Sequence, residues 1–167
     1  MSDMQTLVDE REITRGLGRF ARILDQKRWA DLADVFAEDL SFEYGSGVEE
    51  HGIDALRRQM RRFLDMCGGT QHLLGSILID VDGDAAVSRC YVQARHQRRD
   101  DPAGPIFDST GEYIDRWERR PQGWRIARRD AVWFLHTGTG PRWQGNFFEI
   151  LRFPARNRGS CAATLQG

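Results

Sequence analysis

Asp25 and His72 are the residues of this 167-residue chain whose types and positions best suit acid–base chemistry. Apolar residues recur at spacings of three and four from Ile13 to Leu24, which places Asp25 at the end of the buried face of a predicted helix. A buried carboxylate is unfavourable unless it is paired, and His72, where the chain enters a predicted strand, is a natural partner. Such a pair fixes the tautomer of the imidazole and raises its basicity, as a general base near neutral pH requires. Spacing alone leaves equally open the alternative that Asp25 ends its helix facing water.

A second histidine, His96, ends the strand segment that begins at Ala86. The even positions of this segment are small and mostly apolar, so they are predicted to face inward together with His96. Space beside an inward histidine can admit a ligand, and the alternative is a core histidine bonded to a backbone carbonyl. His96, His72 and Asp25 would also make a two-histidine, one-carboxylate metal set. Nothing in their spacing requires a metal, and we predict neither a metal nor a cofactor.

Two residues further along the chain are candidates for binding a substrate. Arg129 alternates with Ala127, Ala131 and Trp133, which would direct its cation into a cavity where it could stabilise a developing oxyanion. Arginine is abundant in this chain, so a solvated side chain is the simpler interpretation of any single one. Tyr113 lies on an inward face and could donate a hydrogen bond, with a packed aromatic ring as the alternative.

Composition argues against several classes of function. The 24 basic and 25 acidic residues nearly balance, and a net charge of −1 argues against binding to nucleic acid. The single lysine, Lys27, lies in a polar stretch where nothing is expected to desolvate its amine, which argues against Schiff-base chemistry. Three cysteines, Cys67, Cys90 and Cys161, without a CxxC pair fit reduced thiols in the cytoplasm. No stretch has the length of a membrane span or the form of a signal peptide.

The order of the predicted elements indicates a single α+β domain over residues 1–167. Helical spacing occurs at 13–25, 29–36 and 53–64, and strand alternation follows at 40–44, 73–81, 85–98, 110–119 and 124–135. Three helices followed by antiparallel strands favour a curved sheet whose concave face the helices cover. Such a sheet makes a cone with one open end, and it holds a pocket where inward residues are small or polar. An irregular tail, 137–167, is predicted to cap the pocket.

Several short motifs together resemble the SnoaL-like branch of the NTF2-like superfamily and, within it, the scytalone dehydratases. The resemblance covers roughly residues 8–135 and is carried by Leu24-Asp25, Phe42-Glu43-Tyr44, Thr70-Gln71-His72, His96-Gln97-Arg98 and Gly123-Trp124-Arg125-Ile126. It implies a cone-shaped fold in which Asp25 and His72 form the acid–base dyad and His96 is the second histidine of the pocket. It also implies that Tyr44 binds the carbonyl of the substrate through a water.

The chain departs from the scytalone dehydratase pattern at two positions. Leu24 stands where that family has a second tyrosine, and Tyr113 stands where it has an asparagine, so the substrate is expected to differ. A hexachlorocyclohexane dehydrochlorinase of the same superfamily also uses a His-Asp dyad, and its pocket arginine matches Arg129. The chemistry that these relatives share is proton abstraction without a cofactor, followed by loss of a leaving group.

The expected function is a cofactor-independent, dehydratase-like lyase that acts on a small hydrophobic cyclic compound with a carbonyl group. His72 would remove a proton next to the carbonyl, and His96 would protonate the departing hydroxyl. Tyr44, with Arg129 or Tyr113, would stabilise the enolate. An isomerase of the ketosteroid isomerase kind, a cyclase or a hydrolase with the same residues is the first alternative. The second is a non-catalytic protein, either a ligand-binding protein or one resembling the β subunit of ring-hydroxylating dioxygenases.

Self-association is expected through the convex face of the sheet, where Tyr91 and Val87 are large outward residues. The resemblance to scytalone dehydratase implies a trimer, whereas many NTF2-like proteins are dimers. The sequence leaves both homo-oligomers open.

Overall fold

Two α-helices and six strands make up residues 3–138, the part of the chain that this computed structural model describes. The helices are α1 (Asp3–Gln26) and α2 (Ile53–Leu64), and a 3-10 helix spans Trp29–Asp34. The strands are β1 (Phe36–Glu43), β2 (Glu50–His51), β3 (Cys67–Asp82), β4 (Ala85–Arg98), β5 (Phe107–Arg120) and β6 (Gly123–Thr137). The tail that the sequence assigns to capping the pocket lies, beyond residue 138, outside the described residues.

Helix α1 covers the concave side of the sheet with one apolar face. The apolar residues predicted between Ile13 and Leu24 are all buried, which confirms the spacing argument. The helix ends in a Schellman-type motif in which Lys27 takes the left-handed conformation, with φ of +54°. Asp25 therefore lies in the last turn of α1. Neither α1 nor α2, the α-helices of the described part, combines the length and apolar content that crossing a bilayer requires.

The six strands form one curved, unclosed sheet in the order β2-β1-β6-β5-β4-β3. Neighbouring strands are antiparallel except β1 and β6, which are parallel. Strands β3 and β4 form the predicted hairpin, and its two-residue loop contains Gly83 with φ of +63°. The predicted α+β architecture, a curved sheet covered by N-terminal helices, is confirmed.

The segment predicted as the second helix, 29–36, is instead a short 3-10 helix that stops at Asp34. The chain enters β1 at Phe36, four residues before the predicted start of that strand. Pairing with β6 explains the difference, because the carbonyl of Val35 accepts a hydrogen bond of 2.8 Å from the backbone N–H of Ile126. A contact between distant parts of the chain therefore overrides the local helical spacing.

Strand β6 contains an extra residue, Ala127, where its register with β5 shifts by one position. A one-residue shift exchanges the inward and outward faces of a strand. Arg129 consequently points inward together with Ala131 and Trp133, as predicted. Ala127 was expected on the same face, but as the extra residue it interrupts the alternation. The even positions of β4, by contrast, are buried without interruption from Ala86 to His96, which confirms the predicted inward face.

Candidate active site

A pocket of about 70 Å³ lies between the concave face of the sheet and the two helices. Its apolar wall consists of Leu24, Met60, Phe63, Leu64, Ala94, Phe107 and Trp133. Its polar groups are Tyr44, His72, His96, Ser109, Tyr113 and His136. A mainly apolar wall with a few polar groups is typical of a site for a small hydrophobic molecule.

Asp25 and His72 are in contact at this pocket. Nδ1 of His72 lies 2.7 Å from Oδ1 of Asp25, and the backbone N–H of His72 donates to Oδ2 at 3.2 Å. The hydroxyl of Thr70 donates to Oδ1 at 3.4 Å. Since an ionised carboxylate only accepts hydrogen bonds, Nδ1 of His72 is the donor, and in the neutral imidazole the lone pair is on Nε2. The side chain of His72 is buried, whereas that of Asp25 is 20% exposed, so solvent still reaches the carboxylate.

The single lysine fastens the end of α1 to the start of β3. Nζ of Lys27 donates to the backbone carbonyl of Cys67 at 2.5 Å and to that of Gly68 at 3.1 Å. This contact holds the last turn of α1, with Asp25, against the part of β3 that carries His72. The expectation that nothing desolvates Lys27 is wrong, because burial, followed by the charge of a nearby arginine, lowers its pKa. Its amine lies outside the pocket wall and holds the backbone.

His96 lies beside His72, with the two ring centroids 5.5 Å apart and the rings nearly perpendicular. Nδ1 of His96 lies 3.2 Å from the backbone oxygen of Phe107. A carbonyl oxygen only accepts, so Nδ1 donates and Nε2 has the lone pair. Burial, and then the neighbouring His72, lower the pKa of His96 to about 4. His96 is therefore neutral at pH 7, which does not suit it to donate the proton that the sequence-based scheme assigned to it.

Tyr44 and Tyr113 both line the pocket, with ring centroids 6.1 Å apart. Tyr44 follows β1 directly, and its backbone carbonyl accepts a hydrogen bond of 3.1 Å from the indole of Trp133. Burial raises the pKa of Tyr44 and raises that of Tyr113 well above its ordinary value. Both phenols therefore stay protonated and can donate a hydrogen bond to an oxygen of a bound molecule.

Arg129 lies behind the pocket wall, where it is fully buried. Its guanidinium donates to both carboxylate oxygens of Asp115 at 2.6 Å, and its Cζ lies 4.2 Å from the ring centroids of Phe20 and of Tyr113. The expectation that Arg129 points a cation into the cavity is therefore corrected, since Asp115 neutralises it. It contacts the pocket from behind, through the ring of Tyr113 and through the hydroxyl of Tyr44, which accepts a hydrogen bond of 3.5 Å from Nη1.

Ser109 and His136 are pocket residues that the sequence-based reasoning missed. His136 follows the last predicted strand, 124–135, but in the structure it lies on β6, and its Nδ1 is 2.8 Å from Oγ of Ser109. A second extra residue of β6, Phe134, shifts the register again and turns His136 inward. Gly111 permits the close approach, because a Cβ there would lie 2.3 Å from the backbone oxygen of Val132. The glycine is visible in the sequence, but the phase of β6 is not.

No group of three or more His, Cys, Asp or Glu side chains within residues 3–138 is arranged to hold a metal ion. The two-histidine, one-carboxylate set is used differently. Asp25 binds Nδ1 of His72, and Nδ1 of His96 binds a backbone carbonyl.

The chain belongs to the SnoaL-like domain family, whose model matches residues 5–130. A relative from Mycobacterium tuberculosis, described as an uncharacterized protein, is 31% identical over 133 residues. That alignment covers 77% of this chain and 88% of the relative. Family membership is thus shown, and the resemblance deduced from the motifs is confirmed.

Three solved structures show the same fold. One from Novosphingobium aromaticivorans, described as a "putative scytalone dehydratase", has a TM-score of 0.74 and 24% identity and covers 87% of this chain and 99% of its own. A hexachlorocyclohexane dehydrochlorinase has a TM-score of 0.73 and 15% identity, with coverage of 83% and 94%. An NTF2-like protein with a cystatin-like fold, also from N. aromaticivorans, has a TM-score of 0.64 and 21% identity, with coverage of 90% and 93%. These likenesses show that the chain shares its fold with NTF2-like proteins.

Proposed function

We propose that this protein is a cofactor-independent lyase that removes water from a small hydrophobic cyclic compound with a carbonyl group. The observation that carries the proposal is the hydrogen bond of 2.7 Å between Asp25 and His72 at the edge of an apolar pocket. Asp25 holds the imidazole in the tautomer whose Nε2 can take a proton, and it stabilises the imidazolium that forms.

In the proposed reaction, Nε2 of His72 removes a proton from the carbon next to the carbonyl. Negative charge develops on the carbonyl oxygen, and the phenols of Tyr44 and Tyr113 donate hydrogen bonds to it. The enolate then re-forms the carbonyl while the bond between the β-carbon and its hydroxyl breaks. The products are a conjugated carbonyl compound and water.

The proton that the leaving hydroxyl needs comes from His72 itself in this scheme. His96 is neutral at pH 7 because its pKa is about 4, and its Nε2 is an acceptor. It is suited to accept a hydrogen bond from the leaving hydroxyl and so to orient it. His72, protonated by the first step, then returns the proton on the same face of the ring, and the base is regenerated.

Two of the solved structures with this fold support elimination chemistry. One is described as a "putative scytalone dehydratase" and the other as a hexachlorocyclohexane dehydrochlorinase. The first description names the removal of water and the second the removal of hydrogen chloride. Their sequence identity to this chain is below 25%, so the argument for function depends on the pocket residues.

An isomerase is the second candidate, and the state of His96 favours it. If one histidine both takes and returns the proton, the same pocket can return it to a different carbon of the substrate. The elimination and the isomerisation share the first step, which is removal of a proton next to the carbonyl.

The test measures that shared step and the complete reaction together. The protein is incubated in D2O with a panel of cyclic β-hydroxy ketones, and NMR follows deuterium uptake next to the carbonyl while mass spectrometry follows loss of water. The variant His72→Asn is expected to lower both rates by about 100- to 10,000-fold. His51→Asn, in an exposed histidine of β2, is the matched control and should leave both rates unchanged.

Unchanged exchange in His72→Asn would reject the mechanism. Exchange without loss of water would favour the isomerase. Wild-type protein that catalyses neither reaction would favour the non-catalytic alternatives, a ligand-binding protein or a dioxygenase β-subunit-like protein.

We also propose that the protein is a cytoplasmic homo-oligomer whose copies meet through the convex face of the sheet. Tyr91 on this face is 55% exposed and Val87 is 39% exposed, and the ring of Tyr91 packs edge-on against the exposed Phe134. Contiguous exposed apolar residues mark interaction surfaces. Light scattering should give the mass of a dimer or trimer for the wild type and of a monomer for Tyr91→Glu.

A further inference from the structure

Ser109 and His136 form a polar pair that the proposed reaction does not use. The pair lines the pocket, and its two polar atoms, Oγ and Nδ1, lie 2.8 Å apart. The imidazole of His136 is stacked on the ring of Phe107, with centroids 5.7 Å apart and planes within 7°, and it lies 5.9 Å from the ring of Trp133. The position of this polar pair is therefore fixed between flat aromatic side chains.

Strand register places this pair opposite the acid–base dyad. His72, Ala94, Ser109 and His136 are successive cross-strand partners on β3, β4, β5 and β6. Two strand spacings, about 10 Å, separate the backbones of His72 and Ser109. Between them stands Ala94, whose side chain is a single methyl group, so a flat ring can lie over it with one edge at each polar group.

We propose that Ser109 and His136 form a second polar subsite that binds a neutral oxygen substituent, a hydroxyl group above all, at the edge of the substrate ring remote from the reacting carbon. The inference rests on the proposed function in one respect, which is that the edge of the ring at His72 is the one that reacts. A serine hydroxyl can donate and accept, and its bond to an imidazole lets it present either role to a substrate hydroxyl. The substrate class is thus a ring with oxygen functions at two opposite edges.

The uncharged state of the pair selects against anions. Burial lowers the pKa of His136, so the imidazole is neutral at pH 7. Among the residues of 3–138 that line the pocket, none supplies a cation beside Ser109 to bind a carboxylate. A hydroxyl can exchange its hydrogen bonds with water for those of the pair, whereas a carboxylate would lose hydration without gaining a counter-ion.

The test compares three matched probes that differ at one ring position: acetophenone, 4-hydroxyacetophenone and 4-acetylbenzoate. Ligand-observed NMR titration of the wild type should show about 5- to 10-fold tighter binding of the hydroxylated probe than of acetophenone, the gain expected from one neutral hydrogen bond. The carboxylate probe should bind more weakly than either. The variant His136→Phe keeps a stacked ring, and Ser109→Ala removes the hydroxyl. In both, the affinities for 4-hydroxyacetophenone and acetophenone should differ by no more than about twofold.

Equal affinity of the wild type for the two neutral probes would overturn the inference. So would an unchanged preference in both variants, or no binding of 4-hydroxyacetophenone up to its solubility limit. His51→Phe, at an exposed position of β2, is the control for the histidine-to-phenylalanine change and should keep the preference. If His136→Phe does not fold, Ser109→Ala alone decides the result.

The same samples separate this inference from the proposed function. Acetophenone has exchangeable protons next to its carbonyl and cannot lose water, so deuterium uptake into its methyl group reports on His72. A hydroxyl preference without deuterium uptake would support the subsite and count against the proposed base. Deuterium uptake without a preference for the hydroxylated probe would support His72 as the base and count against the subsite.

Discussion

Two acid–base pairs lie on the inward side of the sheet, with similar distances and opposite character: an outer pair, Asp25 and His72, and an inner pair, Asp115 and Arg129. Asp25 and His72 approach to 2.7 Å at the pocket, and Asp115 and Arg129 approach to 2.6 Å behind it. The first pair joins an imidazole to a carboxylate that is 20% exposed, whereas the second joins a guanidinium to a carboxylate and both of its side chains are 0% exposed. Burial and the type of base, and not the distance, therefore decide which pair can transfer a proton.

Removing one partner of the Asp115–Arg129 pair should give the largest loss in the free energy of unfolding. Asp115→Ala leaves the guanidinium of Arg129 buried and unpaired, which should lower the free energy of unfolding by about 3–5 kcal/mol in urea denaturation. Glu112→Ala, on the same strand, breaks an ion pair with Arg89 on the outer face and should cost at most about 1 kcal/mol. Equal losses in the two variants would contradict the structural role of the inner pair.

The corresponding change in the Asp25–His72 pair should affect catalysis more than stability. Asp25→Asn allows the other tautomer of His72 and should lower the rate of deuterium exchange by about 100-fold or more. Because Asp25 is partly exposed, its free energy of unfolding should change by only about 1 kcal/mol. A loss of stability as large as that of Asp115→Ala, with exchange unchanged, would reverse the comparison.

Acid should weaken the fold through His96. The folded state holds the pKa of His96 at about 4, below its ordinary value of 6.5, so the unfolded chain binds more protons between these values. His96 therefore makes its full contribution to the free energy of unfolding above its ordinary pKa. That contribution is lost as the pH falls toward the pKa of the folded state. Between about pH 7.5 and about pH 4.5 the free energy of unfolding should drop by about 2–3 kcal/mol more in the wild type than in His96→Leu. Equal drops in urea titrations of the two proteins would show that His96 is not held neutral.

The smallest effect on deuterium exchange is expected at Lys27, which positions Asp25 against His72 without belonging to that pair. Lys27→Met removes two hydrogen bonds to β3 and should lower the free energy of unfolding by about 1–2 kcal/mol. Exchange should slow by about 10-fold with KM nearly unchanged, because the end of α1 would hold Asp25 less firmly against His72. Lys27→Arg should recover most of the rate, and a full rate in Lys27→Met would exclude this positioning role.

Regular periodicity made some elements predictable. Helix α2 has the predicted bounds of 53–64, and the inward face of β4 is the predicted one, because both segments repeat their pattern without interruption. Where a distant strand or a bulge intervenes, local pattern fails. The start of β1 at Phe36 depends on pairing with β6, and the inward turn of His136 depends on an extra residue, Phe134, in that strand.

The sequence by itself indicated the family, through its motifs, and the α+β class, through its spacing. It offered His72 as a partner for Asp25 but left open whether Asp25 faces water, and the tertiary structure brought the two side chains into contact. Only the tertiary structure decided which charges are available for chemistry. It buried Arg129 against Asp115, made His96 neutral by burial beside His72, and brought Ser109 and His136 to the far side of the pocket. Burial and cross-strand register depend on contacts between distant residues, and local spacing carries no record of them.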